Sequence, residues 1–308
     1  MQLIKPDINL DFIGKRKMAV IFSAVLILVG LFSLLAKGGP EYGIDFAGGT
    51  LVQIQFEEKT SAGDIKAALK DLDLKGMVVQ QFGDESNEFL IRAQEVGGGL
   101  TSLSRDILSA LEASYGAGKV EVRRSEMVGP QVGKDLRQKG LLAVFYAMIG
   151  ILIYITWRFE FRFAVGAVIA LIHDVLITLG VFSLFGKEID LPIIAAFLAI
   201  VGYSLNDTII VYDRIRENMG KHGREGFSAV INRSINETLS RTILTSGTTL
   251  LVVLALFVLG GGVIHNFAFA LLVGIVVGTY SSVFVASPLL IFWEDRKAGK
   301  ASVKGSAG

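Results

Sequence analysis

Three ionisable residues sit in stretches that are otherwise apolar: Asp174, Asp207 and Arg241. Charges inside a bilayer are costly, and those retained there commonly relay protons, bind ions or pair with one another. A carboxylate in an apolar medium and an arginine within reach favour opposite protonation states. Asp207 and Arg241 could therefore gate the binding of a proton, with Asp174 as a further relay. Counted from Leu191, Asp207 lies about 24 Å along its helix at roughly 1.5 Å per residue. That depth falls inside a hydrocarbon core about 30 Å thick.

Helical phase gives these charges polar company. Thr238, Arg241, Thr245 and Thr248 recur at the spacing of one helix face. Ser204 and Asp207 share a face of their own segment with Arg214, Asn206 shares another with Asp213, and Thr178 follows Asp174 by one turn. A lipid-facing arrangement would be expensive, so Ser204, Asn206, Thr245 and Thr248 are expected to line a polar stripe inside a helix bundle. His173 is expected to be a packed polar residue, His222 solvated and His265 interfacial.

Other chemistries fit poorly. The chain has no Cys and only 3 His, dispersed along the sequence, which gives no metal-ligand spacing and no thiol nucleophile. No Gly-x-Ser-x-Gly elbow is present. An aspartyl dyad of Asp174 and Asp207 would need a Gly-x-Gly-Asp setting, whereas Asp207 follows Ser204-Leu205-Asn206. The two carboxylates also differ in expected depth by about 8 Å. No covalent catalytic site and no cofactor are expected.

The elements that must hold these residues are legible in the apolar pattern. Of 308 residues, 52% are hydrophobic and 19% charged. Soluble domains run about 45–50% apolar and about 25% charged. The formal net charge of +1 lacks the basic excess of a nucleic-acid binder. Six segments are long enough to cross a bilayer: Met18 to Ala36, Leu141 to Trp157, Phe163 to Phe185, Leu191 to Tyr212, Ile243 to Leu259, and Phe267 to Trp293. The first exceeds a signal-peptide core and ends without a small-x-small cleavage site, so it reads as a retained anchor. Small residues at every fourth position of the last segment, from Ala270 through Gly274, Gly278 and Ser282 to Ala286, form a packing face.

Lys and Arg in the short flanks orient the spans. Lys15, Arg16 and Lys17, then Arg158 and Arg162, then Arg214 through Arg241, then Arg296, Lys297 and Lys300 fall on one side. Both termini are thus expected in the cytoplasm. The chain divides into a tail (1–17), span one (18–36), an external domain (37–138), spans two to six (139–293) and a second tail (294–308).

Within the external segment the pattern alternates. Residues 51–56 alternate as a strand, and Ser61 to Leu72 reads as a helix opened by a Ser61–Asp64 capping box. Met77 to Phe82 and Glu88 to Ala93 read as strands around a turn at Gly83 to Asn87. Leu100 to Tyr115 is a second helix, and Val120 and Val122 begin a last strand. The order is βαββαβ, a ferredoxin-like arrangement. The fold class is therefore an α-helical polytopic membrane protein with six transmembrane helices and a small α+β external domain. No catalytic grouping is visible in that domain, which reads as a binding or mechanical module.

Tyr42-Gly43-Ile44-Asp45-Phe46-Ala47-Gly48-Gly49-Thr50, just outside span one, resembles the Gly-Ile-Asp-Phe-x-Gly-Gly motif of the SecD/SecF protein-export family. The runs Gly202 to Thr208 and Asp213 to Asn218 resemble that family's fourth-span signature. Ser240-Arg241-Thr242 with Thr245 to Thr249 resembles its fifth span. His173-Asp174-Val175 and Gly278 to Ser282 also fit. The resemblance runs from about Asp11 to Trp293 and implies membership of the RND superfamily. It implies one half of a twelve-span unit whose other half is a SecD-type partner, beside the SecYEG channel in the inner membrane of a bacterial or archaeal-type cell. It further implies use of the proton-motive force to draw preproteins outward. Asp207 would accept the proton, Arg241 would regulate it, and Gly43, Asp45, Phe46, Gly48 and Gly49 would form the joint to the external domain. The competing reading is an RND-type proton-coupled exporter of small molecules or lipids, which would need a larger external domain with a substrate cleft.

Overall fold

The computed structural model describes residues 9–72, 74, 76–82, 87–93, 100–222, 225–260, 262–294 and 296. Expectations placed on Gly83 to Ser86, Arg224, Gly261, Lys297 and Lys300 lie outside the described residues. Six helices are long and apolar enough to cross a membrane. They are α1 (Arg16–Ala36), α5 (Pro130–Arg158), α6 (Phe161–Leu184), α7 (Leu191–Lys221), α8 (Phe227–Leu259) and α9 (Gly262–Ser281). A π-helical turn at Ser282–Ala286 follows α9, and helix resumes as far as Glu294.

Two helices begin well before their apolar stretches. Pro130 opens α5, its fixed φ and missing N–H suiting a first turn. The early part of α8 is held by a strap from the N-terminal segment. Asn232 Oδ1 accepts from the backbone N–H of Phe12 at 2.9 Å, and Asn236 Oδ1 from that of Leu10 at 2.8 Å.

Helices α6, α7 and α9 pack on one another at the centre. Helix α1 leans on α6, α5 on α6 and α7, and α8 on α7 and α9. The α1–α6 seam is made of small residues. A Cβ on Gly30 would come within 2.7 Å of the Gly180 Cα, and Ser33 Oγ lies 2.8 Å from Ser183 Oγ. Close backbone approach of this kind is how helices associate where lipid removes the hydrophobic drive.

The external domain lies between α1 and α5. Its strands are β1 (Gly49–Phe56), β2 (Val78–Gln81), β3 (Glu88–Ala93) and β4 (Val120–Val128), and its helices are α3 (Ala62–Ala68) and α4 (Leu100–Tyr115). The sheet order is β2-β3-β1-β4, antiparallel throughout, as expected of a ferredoxin-like βαββαβ unit. Alternation sets the core. Val52, Ile54 and Phe56 point inward opposite Ile91, Phe89 and their neighbours, and Ile65, Leu69, Ile107 and Leu111 cover that face. Ser61 caps α3, accepting from the Asp64 N–H at 3.2 Å. Asp64 does not reach back to the backbone; its carboxylate accepts from the Ser61 hydroxyl instead.

Candidate functional site

Two of the bundle's apolar clusters bracket its charged residues. One, near the sheet domain, contains Phe46, Phe182, Ile193, Phe197 and Ala270. The other, toward the far end, contains Phe163, Tyr212, Ile215, Ile235 and Leu290. Between them on α6, α7, α8 and α9 lies a layer of buried polar side chains, and the two expected carboxylates are both in it.

Asp174 is fully buried and well partnered. Its Oδ2 accepts from Ser204 Oγ on α7 at 2.6 Å and from Ser281 Oγ on α9 at 2.8 Å. Its Oδ1 lies 2.8 Å from Nδ1 of His173. Asp207 is equally buried but under-partnered. Ser246 of α8 donates to its Oδ2 at 3.1 Å and lies 2.8 Å from Thr279 of α9. Among the described residues Asp207 Oδ1 has no hydrogen-bond partner. Buried polar atoms are almost always paired, so this oxygen stands out. Ser204 sits beside Asp174 and Asp207 follows it by one helical turn, so the two carboxylates differ in depth by roughly 4.5 Å, less than the expected 8 Å.

Among the described residues Arg241 makes neither a hydrogen bond nor an ion pair with Asp207. Its side chain is exposed on the outer face of α8. The expected stripe needs a corresponding correction. Asn206 and Thr248 are exposed and Thr245 is half-buried. The hydroxyls of Thr245 and Thr248 bond back to carbonyls of their own helix. The stripe buried within this chain is Thr238, Thr242 and Ser246. It is rotated about 100° from Arg241, the turn between consecutive helical residues. Of the expected stripe, Ser204 alone reaches the interior.

The loop motif is welded rather than loose. Gly43 N–H donates to the Ile189 carbonyl at 2.9 Å, and Ile189 N–H to Glu41 at 2.7 Å. A short helix α2 (Ile44–Ala47) buries Phe46 against the upper ends of α6 and α7. Asp45 Oδ2 accepts from the backbone N–H of Leu191 at 2.9 Å. Gly48 and Gly49 adopt φ of 76° and 120°, where an L side chain is strained. The open joint is Gly38-Gly39, just after α1. Both have positive φ, and a Cβ there would meet nothing within 4 Å.

Sequence reasoning missed Ser23, Ser246 and Tyr280 as partners of the charged residues and read His173 as simple packing. The available signal for His173 was its adjacency to Asp174, since consecutive helical residues reach two different neighbouring helices.

Comparison with known proteins follows this geometry. Residues 107–296 match the family described as protein export membrane protein SecD/SecF, C-terminal, and residues 33–60 match the SecD/SecF GG motif. The protein translocase subunit SecF of Magnetococcus marinus is 50% identical, over 99% of this chain and 98% of its own. The chain belongs to the SecF family of protein translocase subunits. A SecF-family relative from Vibrio alginolyticus is 46% identical over 94% of this chain and 91% of its own. The crystal structure of SecDF from Thermus thermophilus, described as a translocon-associated membrane protein, superposes with a TM-score of 0.86 at 39% identity. That match covers 95% of this chain but 40% of the SecDF chain, so this SecF-family chain corresponds to less than half of the longer protein.

Proposed function

We propose that the chain is the SecF half of a proton-driven unit that assists export of preproteins through the SecYEG channel, with a SecD-type subunit supplying the other half. The observation that carries the reading is the under-partnered Asp207. A buried carboxylate with one oxygen unpartnered among the described residues is poorly built for structural adhesion. It is well built to exchange a proton. Arg241, on the exposed face of α8 five residues before Ser246, stabilises the ionised form when it swings inward, and Asp174 serves as a relay deeper in the bundle. The proton is the coupling ion and no other cofactor is needed; no covalent step is involved.

The partner reading rests on the outer face of α7 and α8. Asn206, Arg241, Thr245 and Thr248 are too polar for lipid, and a second helical half would cover them. The basic flanks support an orientation with both termini in the cytoplasm and the sheet domain outside, where cargo emerges. Each proton crossing the membrane releases about 2.3 kcal/mol per 100 mV, delivered through α7 to the welded motif at its outer end.

Inverted membrane vesicles carrying the complex test this. Preprotein uptake stimulated by a proton-motive force is expected with the native chain and is expected to be lost in Asp207→Asn, which keeps the shape and removes the titrating group. Full stimulation in that variant would overturn the reading.

A further inference from the structure

His173 joins the charged layer to α1 by an unbroken series of contacts. Asp174 Oδ1 lies 2.8 Å from His173 Nδ1, and His173 Nε2 lies 3.0 Å from Ser23 Oγ on α1. Ser23 Oγ lies 3.1 Å from the Tyr280 hydroxyl on α9, and that hydroxyl donates to the Ala19 carbonyl on α1 at 2.8 Å. The Tyr280 ring stacks on the imidazole, with centroids 6.2 Å apart. His173, Asp174 and Ser23 are all buried.

The number of protons in this series is fixed by its ends. A carbonyl only accepts, so the Tyr280 proton belongs to Ala19. The contact between Ser23 and Tyr280 must then use the single Ser23 proton. His173 Nε2 faces a serine whose proton is already committed, so Nε2 itself must carry a hydrogen. The Nδ1–Oδ1 contact needs one more. A carboxylate beside a neutral imidazole has one proton for these two places. The pair therefore holds a second, either as imidazolium with carboxylate or as neutral imidazole with carboxylic acid. The other oxygen of Asp174 does not alter the count, because the hydroxyls of Ser204 and Ser281 both donate to it. The titratable or charged groups on the elements packed around it are Tyr280 from α9, Asp207 from α7 and, on the exposed face of α8, Arg241; α1 contributes Ser23 and the Ala19 carbonyl.

We propose that His173 and Asp174 form a second proton-holding pair, whose proton is shared with α1 through Ser23 and Tyr280. When the pair gives up its extra proton, one of the contacts in the series has no hydrogen, and α1 loses part of its hold on α6 and α9. Helix α1 leads through Gly38-Gly39 to the external domain, so proton occupancy inside the bundle is felt at the joint. His173 is thus a positioning residue that transmits the state of Asp174. The inference rests on the proton-coupled reading above.

The full-length chain in lipid nanodiscs, labelled with ¹⁵N-histidine, tests it. Only 3 His are present, and His222→Gln and His265→Gln assign two of them. At neutral pH the His173 Nε2 signal is expected to be that of a protonated nitrogen. Tyr280→Phe frees the Ser23 proton to reach Nε2, and Ser23→Ala removes the acceptor. In either variant the Nε2–H population at the same pH is expected to fall. A merely structural role would change stability but leave this signal unmoved. A bare Nε2 in the native chain, or an unchanged Nε2–H population in whichever variant folds, would overturn the proposal. Neither outcome depends on export, so failure here and failure of the Asp207 reading are separable.

Discussion

Asp45, in the loop motif, accepts a hydrogen bond at 2.9 Å from the backbone N–H of Leu191, the first residue of α7. Asp190 caps the same end, its side chain accepting from the Ile193 N–H at 3.1 Å. Two carboxylates thus satisfy donors that a helix N-terminus leaves open, and both suit its partial positive charge. Helix α7 carries Asp207, so one helix runs from the contact with the motif to the buried carboxylate. Loss of such a cap costs about 1 kcal/mol. Asp45→Ala is expected to lower the thermal midpoint of the detergent-solubilised chain, and Asp45→Asn to restore most of it. Equal midpoints for all three would contradict the capping role.

Asp190 also sets a pH dependence. Burial raises its carboxyl above the ordinary carboxylate range, and Asp45 nearby adds to the rise against the opposing hydrogen bond from Ile193. The folded chain therefore binds a proton that the unfolded chain has released. This contribution to stability is fully present below the unfolded value and fades as pH rises through the folded one. The stability difference between the native chain and Asp190→Asn, which keeps the cap, is expected to shift against the native chain as pH rises through the mildly acid range. A difference constant with pH would show that Asp190 contributes no such dependence.

Gly48 has φ of 76°, and a Cβ there would lie 2.8 Å from the Pro130 Cα. Both the conformation and the backbone contact exclude a side chain. Gly48→Ala is expected to destabilise the chain by about 1–3 kcal/mol, read as a lowered thermal midpoint and poorer yield. Gly118→Ala, at φ of 79° with open space around it, isolates the conformational part. Similar losses at both positions would show that the Pro130 contact contributes nothing.

Arg92 on β3 pairs with Glu188 in the α6–α7 turn and donates to the Tyr42 carbonyl at 2.8 Å. The two side chains are 17% and 23% exposed. This pair ties the sheet domain to the bundle. A double-mutant cycle with Arg92→Ala and Glu188→Ala is expected to give a coupling of about 1 kcal/mol, larger than a fully exposed pair would show. A coupling near zero would mean that the domain is held by the contacts of the loop motif without help from this pair.

Much of this was legible in sequence. Six apolar stretches located the spans, because a bilayer imposes length and composition together. The alternation at residues 51–56 and the apolar stripe of α4 gave the βαββαβ order, because one face of each element is buried. The early starts of α5 and α8 were hidden, since helix outside the bilayer has no hydropathy signature. The phase of the α8 stripe was hidden too. Hydroxyl residues occur at 238, 240, 242, 245, 246, 248 and 249, nearly all round the helix. Only packing against α7 and α9 selects Thr238, Thr242 and Ser246. The link from Asp174 to α1 required knowing that α1 leans on α6, which nothing in a single sequence specifies.

The central claim is that Asp207 carries the coupling proton. Proton movement through the complex with its SecD-type partner, reconstituted in liposomes holding a pH-sensitive dye under an imposed gradient, tests it most directly. The native complex is expected to pass protons when unfolded cargo is present, Asp207→Asn to reduce the flux to that of empty liposomes, and Asp207→Glu to retain a part. Native flux in the Asp207→Asn complex would contradict the account.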